Sequence, residues 1–173
     1  MSRPWLLLDR DDTLLDDPGY LSDPEVIRFL PGAVEGLRHF HQQGWPLVVI
    51  TNQSGIGRGY FGLAEVEAVH RRLTELLGKE GVVLAGIYLC PHAPGDGCGC
   101  RKPGPALALQ ASSELGLSLK SSVMVGDKES DLELGRAIGS SYVAQIVAKS
   151  EKSEKADGHF ESLLDLAKEL LKT

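Results

Sequence analysis

The sequence predicts an α/β fold: a doubly wound parallel sheet with helices on both faces. Three observations carry that prediction. Short apolar runs recur along the chain, and most are followed by a stretch with helical periodicity. Four of those runs stop at loops rich in carboxylate, hydroxyl or cationic side chains, which a parallel sheet gathers at one edge. No stretch reads as a linker or repeat, so the 173 residues are expected to form one domain, 1–173, around one core.

The elements follow in order. Pro4 to Leu8 is a buried strand that ends at Asp9-Arg10-Asp11-Asp12-Thr13. Asp16-Asp17-Pro18-Gly19-Tyr20 is a turn signal. Pro31-Gly32 opens a helix over Ala33 to Gln43, with Val34, Leu37 and Phe40 on one stripe, and Gly44 closes it. Pro46 to Ile50 is the second strand, followed by the glycine-rich polar loop Thr51 to Phe61. A helix spans Leu63 to Lys79, with Val66, Val69, Leu73 and Leu76-Leu77 along one face. Val82 to Leu89 is the third strand, and a Cys/His segment leads from it to Arg101-Lys102-Pro103. A helix over Pro105 to Leu115 precedes the fourth strand, Ser122 to Val125. Gly126-Asp127-Lys128-Glu129-Ser130-Asp131 then runs into a helix ending near Ile138. Tyr142 to Ile146 is a last short strand, Lys149 to Asp157 a charged loop, and Phe160 to Leu171 an amphipathic helix.

Composition bounds the function. A net charge of −6 gives no basic footprint for nucleic acid, yet a few placed cations can still bind an anion. No apolar run approaches the roughly 20 residues of a membrane span. Met1-Ser2-Arg3-Pro4 leads into a run too short for a signal-peptide core, so a cytoplasmic protein is expected. The three cysteines all lie between Cys90 and Cys100, which is not a disulfide framework.

Two carboxylates at i and i+2 after a strand, Asp9 and Asp11, can face the same crevice, as nucleophile and proton carrier. Asp9 and Asp127 each follow a buried strand, and such hard oxygens suit Mg²⁺. A carboxylate attacking a phosphate dianion meets like-charge repulsion, which a metal and a lysine offset. Lys102 is the best-placed cation, and Thr51 and Asn52 can donate to phosphoryl oxygens. Asp16, Asp17 and Asp23 alone read as solvated turn residues. Cys90, His92, Cys98 and Cys100 make a complete Cys₃His set within a glycine- and proline-rich loop. With no spare ligand position, the implied Zn²⁺ is structural and pre-positions Arg101 and Lys102. His39, His41, His70 and His159 lack such company and read as structural or exposed.

Together these residues resemble the motifs of haloacid-dehalogenase-superfamily phosphatases: Asp9-x-Asp11-x-Thr13, Thr51-Asn52, Lys102, and Gly126-Asp127-x-x-x-Asp131. Each is weak alone; four in order, each after a strand, are not. The resemblance runs from about Trp5 to Ile146. It implies an aspartyl-phosphate mechanism, with Asp9 as nucleophile and Asp11 as acid and base. Mg²⁺ would be held by Asp9, Asp127 and the Asp11 carbonyl, while Asp131 supports the metal or caps its helix.

Neither gap between motifs holds a cap domain, so the loops must recognise substrate. The zinc segment followed by Cys100-Arg101-Lys102-Pro103 resembles the branch of heptose-bisphosphate and histidinol-phosphate phosphatases. The loop Asn52-Gln53-Ser54-Gly55-Ile56-Gly57-Arg58-Gly59-Tyr60 resembles the heptose type. The short spacing from His92 to Cys98 is common in the histidinol type. The expected reaction is therefore removal of the 7-phosphate of D-glycero-D-manno-heptose 1,7-bisphosphate, towards nucleotide-activated heptose and lipopolysaccharide core. Histidinol phosphate is the alternative, and a non-catalytic phospho-ligand-binding protein the second. Arg58, Arg101 and Lys128 are the cations available to a second phosphate. By resemblance, Asp17, Pro18, Gly19 and Tyr20 line the sugar site with Thr51, Asn52, Gln53 and Ser54. Asp12 departs from the family's usual glycine and adds charge near an anion site; Leu15 stands where the heptose enzymes often have asparagine. The expected partner is a small phosphorylated molecule, with no membrane, no nucleic acid and a monomeric state.

Overall fold

The computed structural model describes residues 3–172; Met1, Ser2 and Thr173 lie outside. Six parallel strands form one sheet: β1 (Trp5–Leu8), β2 (Leu47–Asn52), β3 (Gly86–Cys90), β4 (Ser122–Gly126), β5 (Tyr142–Ile146) and β6 (Gly158–Phe160). Their order is β3-β2-β1-β4-β5-β6. The direction of winding reverses at β1, whose Leu8 registers with Val49 on one side and Val125 on the other. A crevice at the carboxyl ends of the strands is expected at such a reversal.

Alternation along the strands builds two cores. Leu6, Leu8, Val49 and Val125 face α1 (Ala33–Gln42), α3 (Leu63–Lys79) and α6 (Leu163–Leu170). Trp5, Leu7, Val48, Ile50 and Met124 face α4 (Ala106–Leu115) and Leu134 of α5 (Glu129–Ala137). β1 is buried on both faces, so it reads as a continuous apolar run. Burial of each such side chain is worth about 1.5–3 kcal/mol.

Several boundaries move, each for a local reason. Thr51 and Asn52 belong to β2, because β3 pairs with them through Leu89 and Cys90. The loop after them contains a short helix, α2 (Ser54–Gly57). Val82 to Ala85 is not strand: Val82 enters the core while Val83 faces solvent, and pairing begins at Gly86. The expected C-terminal helix from Phe160 starts instead at Leu163, where Ser162 Oγ accepts from Asp165 N at 3.2 Å. Its first residue, Phe160, ends the unforeseen β6.

Candidate active site

The carboxyl ends of β1, β2 and β4 bring three expected groups together. Asp9 follows β1, and its backbone N–H donates to Val125 O on β4. Lys102 Nζ donates to Asp9 Oδ1 at 2.7 Å and to Ile50 O at 2.8 Å. It also lies 2.7 Å from Asp131 Oδ1, as an ion pair outside hydrogen-bond angles. Asp127 follows β4 and is buried, as are Asp9, Lys102 and Asp131. Burial works against the Lys102 charge, but Asp131 and Asp9 hold its pKa above the ordinary lysine value.

Lys102 is fixed from the backbone. Asn52 Oδ1 accepts from Lys102 N at 3.0 Å, and Asn52 Nδ2 donates to Lys102 O at 3.4 Å. The expected phosphoryl donor thus also clasps the lysine segment. Asp131 caps its helix, one of the two roles expected of it, and also pairs with Lys102. Its Oδ2 accepts from Lys128 N at 3.1 Å, capping α5, while Oδ1 faces Lys102. Gly126 permits this, because a Cβ there would lie 2.3 Å from the Cβ of Asp131.

Three carboxylates outnumber the buried Lys102 and the exposed Lys128 that face them. Asp9, Asp127 and Asp131 offer oxygens within 4.8 Å of one another. Burial and then the Asp9 charge push the Asp127 pKa up to about 9; burial and then Asp131 raise that of Asp9. Thr13 Oγ1 donates to Asp127 Oδ1 over a long 3.5 Å. A buried, under-neutralised set of hard oxygens fits a divalent cation such as Mg²⁺.

The second cluster is local. The Sγ atoms of Cys90, Cys98 and Cys100 and Nδ1 of His92 lie within 4.8 Å of one another. Cys100 Sγ is 2.8 Å from Cys90 Sγ and 3.2 Å from His92 Nδ1, and all three cysteines are free thiols. Burial, then the Cys100 contact, pushes Cys90 up to about 12. Cys98 is drawn to about 7, against desolvation, by backbone N–H groups and its thiol neighbours. Soft thiolates and one imidazole, with no carboxylate, are a donor set for zinc. The loop is tied to motif two: Gln53 N donates to Cys90 O at 2.8 Å, and a Cβ on Gly57 would strike Ala93 N.

Asp17, Gly19, Tyr20, Asn52, Gln53, Ser54 and Lys128 line one cavity of about 290 Å³, with Asp11 in its wall. Tyr20 meets Tyr60 edge to face, 4.8 Å between centroids. Pro18, Arg58 and Arg101 fall outside that lining. Arg58 Nε contacts Ser54 Oγ at 3.4 Å, and Arg101 lines a neighbouring hollow with Lys102. A larger hollow of about 560 Å³, between α3 and β3, is shallow and away from Asp9. Lys128 is exposed at the rim, and against local desolvation the Asp9 and Asp127 charges hold its pKa above the ordinary lysine value.

Thr51 is buried, and its Oγ1 accepts from Gln53 Nε2 at 2.7 Å. Gln53 Nε2 also donates to Asp11 Oδ2 at 3.2 Å. Sequence reasoning missed three contributors: Arg10, which grips Asp11; His70, which contacts Arg10; and Gln145, whose Nε2 donates to Asp127 O at 3.2 Å. Only His70 left a signal, since it shares the buried face of α3 with Val66, Val69 and Leu73.

Asp12 is in the left-handed region, φ 57°, where a glycine would be unstrained. Its carboxylate turns away to Lys149 Nζ at 2.8 Å and to Asp17 N at 3.1 Å. The charge expected to disturb an anion site is therefore paired on the loop side, with Asp16 on the same lysine.

The haloacid dehalogenase-like hydrolase family matches residues 5–139, and the chain belongs to that family. Relatives narrow the comparison. The chain is 37% identical to the D-glycero-beta-D-manno-heptose-1,7-bisphosphate 7-phosphatase of Pseudomonas putida, over 96% of this chain and 98% of that one. It is 49% identical to the protein of the same name from Helicobacter pylori, over 75% and 76%. Among solved structures, the D,D-heptose 1,7-bisphosphate phosphatase of B. bronchiseptica, complexed with magnesium and phosphate, superposes with a TM-score of 0.87. It shares 30% identity, with 98% of each chain covered.

Proposed function

We propose that the protein is a magnesium-dependent phosphatase that removes the 7-phosphate of D-glycero-D-manno-heptose 1,7-bisphosphate. The relatives' names favour the β anomer. The observation that carries the reading is the convergence of Asp9, Lys102 and Asp127 beside the polar cavity walled by Asp11. Asp9 attacks phosphorus in line, forming an aspartyl phosphate as the bond to O7 breaks. Asp11 gives its proton to that oxygen, then takes one from the water that hydrolyses the intermediate. Lys102, held by Asn52 and Ile50, balances charge on the phosphoryl oxygens, and Thr51 orients them. Asp9, Asp127 and the Asp11 carbonyl would hold Mg²⁺, which supplies further charge neutralisation.

Cys90, His92, Cys98 and Cys100 would hold a structural Zn²⁺, which would fix the chain before Arg101 and Lys102. The sugar and its remaining phosphate sit in the cavity against Asp17, Gly19, Tyr20, Gln53, Ser54 and Lys128, with Pro18, Arg58 and Arg101 at the approach. Of the three carboxylates that could serve the amine of histidinol phosphate, Asp12 and Asp16 are occupied by Lys149, which supports the heptose reading, while Asp17 lines the cavity. We further propose a cytoplasmic, monomeric, single-domain enzyme of activated-heptose and lipopolysaccharide-core biosynthesis. No helix among the described residues is long and apolar enough to cross a membrane.

The test is phosphate release from both heptose bisphosphate anomers and from histidinol phosphate, with Mg²⁺. The expected result is preference for a heptose bisphosphate. Preference for histidinol phosphate would overturn the assignment.

A further inference from the structure

Arg10 has no exposed surface, and a buried cation must be paired and hydrogen-bonded. Its Nε and Nη2 donate to the two oxygens of Asp11, at 2.8 and 3.0 Å. Its Nη1 lies 3.0 Å from Nε2 of His70, 60 residues away in sequence. Arginine offers only donors, so the imidazole accepts at Nε2 and carries its hydrogen on Nδ1. Burial, then the Arg10 charge, holds the His70 pKa down at about 4, in keeping with a neutral ring.

His70 itself cannot drift, because Val66, Val69, Leu73 and Leu77 anchor the same face of α3 in the core. It is not part of the cavity wall that contains Asp11. The guanidinium therefore has two fixed edges, one on the helix and one on the carboxylate.

We propose that His70 is a positioning residue for the reaction: from α3, outside the cavity, it fixes the Arg10 guanidinium and thereby the orientation of the Asp11 carboxylate. The proposal rests on Asp11 being the acid–base group. Proton transfer needs hydrogen-bond reach, and general acid catalysis contributes about 10²–10⁴-fold. A sugar alkoxide is a poor leaving group and needs that proton, whereas a nitrophenolate leaves without one. Misorienting Asp11 must therefore slow an alkyl phosphate more than an aryl phosphate.

The experiment measures kcat and KM on heptose 1,7-bisphosphate and on p-nitrophenyl phosphate, for wild type, Asp11→Asn, His70→Met and His70→Gln. The ratio of kcat/KM between the two substrates does not depend on the active fraction of a weakened variant. In kcat/KM, which reports only the steps up to formation of the aspartyl phosphate, His70→Met should lose about tenfold or more on the heptose substrate and about threefold or less on the aryl ester. His70→Gln restores an acceptor for Arg10 and should stay within about threefold of wild type on both. If His70→Met does not fold, His70→Asn, whose amide stops short of Arg10, is read in the same way. Equal losses of kcat/KM on both substrates, no loss on either, or a glutamine variant no better than methionine would overturn the proposal. An unchanged substrate ratio in Asp11→Asn would instead overturn the acid–base assignment, and this role for His70 with it.

Discussion

Two clusters of ligand-type side chains sit at the same end of the sheet, and they are built in opposite ways. The Cys/His cluster comes from one loop, Cys90 to Cys100, and three of its four residues are partly exposed. The carboxylate cluster comes from β1, β4 and α5, with Lys102 supplied by a fourth segment, and every member is buried. The first is local, carries soft donors and adjoins the lysine. The second is assembled by the fold, carries hard donors and holds more negative charge than Lys102 offsets. Under the proposed function the contrast becomes a division of labour: the local cluster positions, and the assembled cluster supplies chemistry.

Substitutions should separate the two. Asp9→Asn removes the proposed nucleophile and should reduce phosphate release by about four orders of magnitude or more, measured with Mg²⁺ at saturating substrate. Cys98→Ser should leave Asp9 and Asp127 in place but loosen the segment before Lys102. Metal analysis should find about one zinc per chain in the parent and less in the variant, with turnover down by about 10²-fold. Loss of zinc without loss of turnover would break the link between the clusters.

A smaller effect concerns stability. The folded pKa of His70, about 4, lies below its ordinary 6.5. Between those values the unfolded chain binds a proton that the folded chain does not. Stability should therefore fall as pH drops from 6.5 to 4, with this residue accounting for about 2–3 kcal/mol. Denaturant unfolding of His70→Gln should show a shallower acid slope than wild type; equal slopes would remove this contribution. The smallest effect is Asp12→Gly, which relieves a left-handed aspartate but removes one of the two carboxylates on Lys149. An exposed pair of this kind is worth about 0–1 kcal/mol, so turnover and melting temperature should change little.

The sequence made the local parts legible and the assembled parts only in outline. β1, β2, β4 and β5 announced themselves as short runs buried on both faces, whereas β3 is only half-buried and its start was set four residues early. β6 did not announce itself, since Gly158-His159-Phe160 carries no run and pairs only at the sheet edge. The Cys/His set was legible from spacing alone. Asp9, Thr51, Lys102 and Asp127 were legible only as an ordered set, because the fold that joins them is long-range. Arg10 with His70, and Asp12 with Lys149, were not legible: periodicity assigns a residue to a face but does not name its partner across the fold.

The central claim is a phosphorylated Asp9. Wild-type protein turning over heptose 1,7-bisphosphate with Mg²⁺ can be acid-quenched, digested and examined by mass spectrometry. One phosphoryl group should appear on the peptide containing Asp9 and be absent from Asp9→Asn. Continued phosphate release by Asp9→Asn, with no phosphorylated Asp9 peptide in wild type, would contradict it.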